Sequence, residues 1–258
     1  MTYFYDYFAR QYREGRNGSL LPAPAAIFGN IESEDVRSCR LVLKNAYANY
    51  RTGTNAEDLK RLIGEYRKYV SCCHDEQARD RYNAFVYRYM LEMPVGSRAI
   101  AAKLGVAKET VFNYVNRCFD EMLVLCMGIP AAHPPDDTEA TVGMLIQCSR
   151  LFNGMTGDYV CSLFAGKKEK AAVEQGRHLT KDIMGQFADA VRAYSEYCND
   201  EHTRIDTDIR KAGILEKCFA GVSAAAIAEE YGCCEGTVYA DIRENERRLA
   251  AMLFEKTL

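Results

Sequence analysis

Apolar positions along this chain recur mostly at intervals of three and four, the period of a helix with one buried face. Leu59, Leu62, Ile63, Tyr66 and Val70 stand at helical intervals behind "TNAE", residues 54–57, which has capping-box spacing. Tyr82, Phe85, Val86 and Tyr89 share one side of a helix predicted over about 75–91. Leu179, Ile183, Phe187, Val191 and Tyr194 recur about every four residues within a helix predicted over 176–198. Ser33, followed by Glu34 and Asp35, predicts an N-cap, with a helix behind it to about Arg51. Its hydroxyl can satisfy an orphan amide, and the acids suit the positive helix end. Further helices are expected at 138–153, 159–164 and 206–219. The opening "MTYFYDYFARQYREGRNG" reads as a short amphipathic helix ending at Gly15 or Gly18. "GRNGSLLPAPAAIFGN" reads as a loop. No long alternating run occurs, and Asn17-Gly18 lies between polar residues rather than β-branched runs. The pattern predicts an all-α chain.

"GIPAAHPPDD", residues 128–137, interrupts the helical pattern and holds three of the six prolines. It divides the chain into two helical halves. The expected organisation is an N-terminal helix and loop over 1–30, a first helical domain over 31–127, a linker over 128–137 and a second helical domain over 138–258.

Each half ends in the same pattern. "SRAIAAKLGVAKETVFNYVNR", 97–117, aligns without a gap on "AAAIAEEYGCCEGTVYADIRE", 224–244, at an offset of 127. Ile100 falls on Ile227, Ala101 on Ala228, Gly105 on Gly232, Thr110 on Thr237, Val111 on Val238, Phe112 on Tyr239 and Val115 on Ile242. Val95 falls on Val222. In the first copy Ser97 can cap a short helix through Leu104, with Ile100 and Leu104 on its apolar face. Ala101 is small where two helices would cross. Gly105 follows where a tight turn favours positive φ. Val106 fills the corner. A second helix begins near Ala107 and buries Val111 and either Tyr114 or Val115. A helical hairpin with a buried stripe accounts for Ile100, Leu104 and Val111. It does not account for the same Ala, Gly and Thr-Val at equal spacing 127 residues later.

These residues resemble the helix-turn-helix of DNA-binding proteins. The "IA..LGV...TV" spacing is similar to that of sigma-70 region 4 and of related phage-type transcriptional regulators. In those, the reading helix often continues as a longer helix, as "NRCFDEMLVLCMG" and "RENERRLAAMLF" do in pattern here. The likeness does not extend to an acidic and aromatic promoter-melting segment. The resemblance implies that the second helix of each unit enters a major groove, which is wide enough to admit it. Side chains near its start would then meet base edges. In the first copy these are Lys108, Glu109, Phe112, Asn113 and Asn116. Lys108 can donate to guanine or phosphate, Asn113 can pair with adenine, and Phe112 can meet a thymine methyl. Ser97 and Thr110 can bond phosphate, while Arg98, Lys103 and Arg117 would supply salt-sensitive attraction. A solvated helix face accounts for each polar residue taken singly.

The second copy is more acidic. From Ser97 to Met127 four basic residues face three acids; from Val222 to Leu258 four face seven. Glu235 and Asp241 fall on or near its reading helix, where carboxylates repel phosphate unless they accept from cytosine. This unit either binds DNA through Thr237, Tyr239, Arg243, Arg247 and Arg248, or serves as a protein-contact surface.

Composition changes this picture little. The chain has 258 residues, 48% hydrophobic and 27% charged, with a formal net charge of −3. Any surface for nucleic acid must therefore be local. Eleven cysteines at irregular spacing, with no CxxC, no secretory signal and no long apolar run, predict a reduced, cytoplasmic protein without a membrane span. "CCH", residues 72–74, lacks a second ligand pair at metal spacing, so neither a metal nor another cofactor is expected. His74, His133, His178 and His202 lie in unrelated settings. "GKKEK", 166–170, lacks the upstream glycine and the Ser or Thr of a P-loop. An enzyme is not expected.

The leading expectation is sequence-specific binding of double-stranded DNA by a transcription regulator of a bacterium or its phage. Its two units would act like the halves of a dimer, which requires them to sit about 34 Å apart or a multiple of that. One alternative is an interaction or inhibitor protein that contacts RNA polymerase or a nucleic-acid enzyme. Another is a phage packaging-initiation subunit, which would form rings. A homodimer stays open. "YFYDYFARQYR" can stack unpaired bases, although packing of its rings on a core is the simpler account.

Overall fold

A computed structural model describes residues 4–15, 21–28, 31–53, 55–72, 77–132, 134–152, 162–200 and 205–254, apart from the side chains of Asp6, Cys72 and Arg150. The fold is all-α, and no strand occurs among the described residues. No helix among them is long and apolar enough to cross a membrane.

The helices are α1 (Ala9–Glu14), α2 (Pro24–Phe28), α3 (Ser33–Ala48), α4 (Ala56–Cys72), α5 (Ala78–Phe85), α6 (Ser97–Leu104), α7 (Lys108–Met127), α8 (Thr138–Phe152), α9 (Lys167–Asn199), α10 (Asp206–Phe219), α11 (Ala224–Tyr231) and α12 (Glu235–Leu253). π-helical turns, Phe4–Phe8 and Val86–Met90, precede α1 and follow α5.

Two compact units form, and they are not consecutive halves. One unit comprises Gly29–Ala132 and Gly154–Leu179. The other comprises Met1–Phe28, His133–Asn153 and Thr180–Leu258. The chain crosses between them inside the expected linker, but Ile129 and Pro130 are buried in the first unit rather than exposed. Helix α9 contributes its start to the first unit and its longer remainder to the second.

In the first unit, α7 is the central helix. Its C-terminal half, from Cys118 to Met127, is buried except at Asp120, and α3, α4 and α5 pack on it. Tyr47, Phe85, Tyr89 and Phe119 form a ring cluster with centroids 4.8–6.4 Å apart. In the second unit α12 has the same place: residues 248–253 are buried, and α8, α10, α11 and α1 pack on it. Phe4 is buried here against Tyr194 and Tyr197, and Arg248 lies over its ring. Phe4 and Phe8 therefore pack on a core, while Tyr7 is exposed.

Several local details differ from the sequence reading. Residues 24–28 form a helix within the expected loop, because Ile27 and Phe28 are buried. Ser33 is the first helical residue of α3 and not its cap, a position held by Glu32 without a side-chain bond. Ser97 likewise begins α6 behind Gly96. Thr54 of the capping-box pattern and residues 73–74 of "CCH" fall outside the described residues, as do residues 159–161 of the expected 159–164 helix.

Burial in the second unit is unusual at Glu246. Desolvation, with Glu139 nearby and only partly offset by Arg243, holds its carboxyl up at about 7 instead of 4.5. The folded chain thus keeps this proton more tightly than the unfolded chain. The associated stabilisation is full below about pH 4.5 and is lost as pH rises through about 7. Thermal melts should show Glu246→Gln losing less Tm between pH 5 and pH 8 than the parent; parallel curves would contradict the assignment.

Gly105 sits at φ 68° with nothing within 4 Å of an added Cβ. The need for glycine there is conformational, not steric. Gly105→Ala should lower stability in urea by about 1–2 kcal/mol, and Gly105→Asn by less; an unchanged midpoint for Gly105→Ala would contradict a strained left-handed turn.

Candidate nucleic-acid interface

The two corners are built on the same main bonds. Each glycine is left-handed, φ 68° at Gly105 and 62° at Gly232. The next amide closes back on the buried alanine: Val106 N donates to Ala101 O (3.1 Å) and Cys233 N to Ala228 O (3.0 Å). These bonds satisfy carbonyls that a helix end leaves open. The second helices open on matching bonds, Val111 N to Ala107 O and Val238 N to Cys234 O, both 3.3 Å, and Thr237 N also donates to Cys234 O (2.9 Å). Ile100, Ala101, Val111 and Tyr114 form the core of one corner with Ala84; Ile227, Ala228 and Val238 form the other with Ile214 and Cys218. Of the two candidates for burial in the first corner, Tyr114 is the deeper and Val115 is half-buried. The cap differs. Ser223, one position before the match to Ser97, accepts from Ala226 N at 3.3 Å.

Beyond the corner, α7 and α12 are pinned by buried charges of opposite sign. Glu121 is bridged by Arg81 of α5 (3.2 Å) and Arg117 one turn back (3.0 Å). Arg248, which the offset of 127 aligns with Glu121, is bridged by Asp208 of α10 (3.0 Å) and Glu244 (3.1 Å). Asp208 aligns with Arg81, and Glu244 with Arg117. All three charges are inverted. A tyrosine completes each set. Tyr66 donates to Glu121 (2.5 Å) and accepts from the Cys118 thiol (3.4 Å). Tyr194 donates to Asn245, which aligns with Cys118, at 2.9 Å and accepts from Arg248 (3.4 Å). Burial pushes the Cys118 thiol up to about 12 and raises both phenols, so these groups are structural rather than reactive.

Against this frame the surface residues separate clearly. Along α7, Lys108, Glu109, Phe112 and Asn113 are exposed, with Phe112 at 48%. Lys108 lies over the Phe112 ring at 5.8 Å. Arg98 and Lys103 are exposed on α6, and Lys103 caps the Tyr87 ring at 4.9 Å. Arg98, Lys103 and Lys108 form no ion pair among the described residues. Ser97 and Thr110 are half-buried. Asn116 is exposed but its carboxamide oxygen already accepts from Lys44 (3.1 Å), and the exposed Arg117 is held by Glu121.

The second copy offers less. Arg243 is exposed without an ion pair among the described residues, and Arg247 is exposed but paired with Glu244 (3.1 Å) and Glu139 (3.8 Å). Thr237 is half-buried, its hydroxyl 3.3 Å from the Cys234 sulfur. Tyr239 is half-buried on the corner core. Two expectations are corrected. Arg248 is no surface cation; at 4% exposure it is buried, because it lies on the inner face of α12 between two carboxylates. Asp241 does not face solvent as a repelling charge. It is buried at the position of Tyr114, with both oxygens taken by Arg210 at 2.9 and 3.3 Å.

Sequence reasoning missed a cleft beside α7. Lys44 of α3, Arg88 of the π-helical turn and Ser97 line it together with Phe112 and Asn116. Nothing in the local pattern of residues 33–51 marks Lys44, since only packing of α3 brings it there.

No protein-family model matches the chain, and neither a curated protein nor a solved structure matches it.

Glu121→Gln would remove the buried charge that meets Arg81, Arg117 and Tyr66. Urea denaturation should show a loss of about 3 kcal/mol, and a loss below about 1 kcal/mol, within the range of surface pairs, would contradict a pinning role.

Proposed function

We propose that this protein binds double-stranded DNA sequence-specifically as a transcription regulator inside a bacterial cell, with the first corner as its main reader. The observation that carries this reading is the exposed start of α7. There Lys108, Phe112 and Asn113 stand on one open face, supported by a buried second half of the same helix. Such a helix end fits a major groove about 12 Å wide. The three side chains match guanine or phosphate, thymine methyl and adenine in chemistry. Arg98 and Lys103 add cations with no ion pair among the described residues, which suits the flanking phosphates.

A second reading applies to the second corner, as a contact for a protein such as RNA polymerase or a nucleic-acid enzyme. Its support is the exposure of Glu229, Glu230 and Glu235 around that corner, together with the withdrawal of Arg248 from the surface. Lys217 pairs with Glu230 at 2.8 Å and leaves the other two carboxylates outward.

Duplexes selected from a random pool, titrated across a salt series, test the assignment. Lys108→Ala with Asn113→Ala should weaken the selected site by at least about tenfold relative to random duplex, as the loss of a base contact predicts. Arg243→Ala should weaken all duplexes by a small, uniform factor if the second corner touches DNA. Unchanged binding by both variants would contradict either helix as a reader. No preference over the random pool would favour the protein-contact reading for the whole molecule.

A further inference from the structure

The cleft beside α7 has a volume of about 140 Å³ and lies wholly within the first unit. Nine of the described residues line it, and they include two cations, Lys44 and Arg88, and no carboxylate. Phe112 and Asn116 form its wall from α7, and Ser97 its edge from α6. Arg88 is exposed and forms no ion pair among the described residues. Asp120, whose charge reaches Lys44, is engaged by Arg40 at 2.6 Å. Lys44 therefore rests on neutral partners, the Asn116 carboxamide at 3.1 Å and the Phe119 ring at 5.6 Å. Burial and the neighbouring Arg40 lower its pKa, and the attraction of Asp120 offsets them only in part.

We propose that this cleft takes a backbone phosphodiester of the duplex that α7 reads, so that the DNA interface extends from the corner onto α3 and the π-helical turn. The inference rests on the DNA-binding reading above. Phe112 carries the geometry, because it belongs both to the exposed face of α7 and to the cleft wall. A strand whose bases meet that face runs its phosphates past the adjoining wall. There Lys44 and Arg88 donate as charged groups and Ser97 as a hydroxyl. Phosphate contacts of this kind set register and carry no sequence information. Lys44 and Arg88 thus contribute affinity, and Lys108 and Asn113 discrimination.

The test is fluorescence anisotropy of labelled duplex against full-length protein over a range of sodium chloride concentrations. The variants are Arg88→Gln, Lys44→Gln, the double variant and Lys44→Arg. Loss of each contact should reduce the slope of log K against log salt by about 1. Selected and random duplexes should weaken by the same factor, and Lys44→Arg should keep the parental slope. Arg88 is exposed, so Arg88→Gln reports on the cleft even if Lys44→Gln unfolds the unit; matched melting curves separate the two effects. Parental slopes in Arg88→Gln and the double variant, with duplex binding intact, would overturn the cleft alone. A parent protein that binds no duplex at low salt would overturn the DNA-binding reading and this inference with it.

Discussion

A charge buried at the middle of a long helix is costly unless opposite charges meet it there. Glu121 on α7 and Arg248 on α12 are such charges, and each is met from two sides. One partner comes from the same helix a turn earlier and the other from the helix that precedes the corner, α5 or α10. That arrangement ties the direction of the long helix to the helix on the other side of the corner. The corner between them then has little freedom. Its left-handed glycine sets the angle, and the buried Ile, Ala and Val hold the short helix down. The exposed start of α7 is thus continuous with a helix whose second half is buried and paired.

The inversion of sign between the copies has a physical consequence. Exchanging the long helices would set Arg81 against Arg248 and Asp208 against Glu121, like charges in a buried setting. Like charges at such positions cost several kcal/mol, on the order of the figures known for interfaces. The hydrophobic parts of the two corners are nearly interchangeable, so discrimination between them rests on these polar sets. The same exchange of chemistry appears at Tyr114 and Asp241, where a ring in one copy is replaced by a carboxylate with its own arginine.

The helices and both corners were legible in the sequence because they depend on local rules. Leu59, Leu62, Ile63 and Tyr66 repeat at helical spacing and are buried, and Gly105 and Gly232 stand where only a left-handed residue closes the turn. The charge-inverted sets were also present at the offset of 127, in Arg81 and Asp208, Arg117 and Glu244, Glu121 and Arg248. They were overlooked because identity reveals a repeat and inversion does not. The division into units was not legible. Residues from the N-terminus join the second unit, and Gly154–Leu179 the first, through contacts distant in sequence.

By itself the sequence determined an all-α chain with a twice-used corner, because periodicity, glycine conformation and small-residue spacing act over a few residues. The tertiary structure alone decided which charges are available at the surface. Arg243, Arg247 and Arg248 are near neighbours on one helix, yet the first is exposed, the second paired and the third buried. Helical spacing states which residues share a face, but only the helices that pack there determine which face meets solvent.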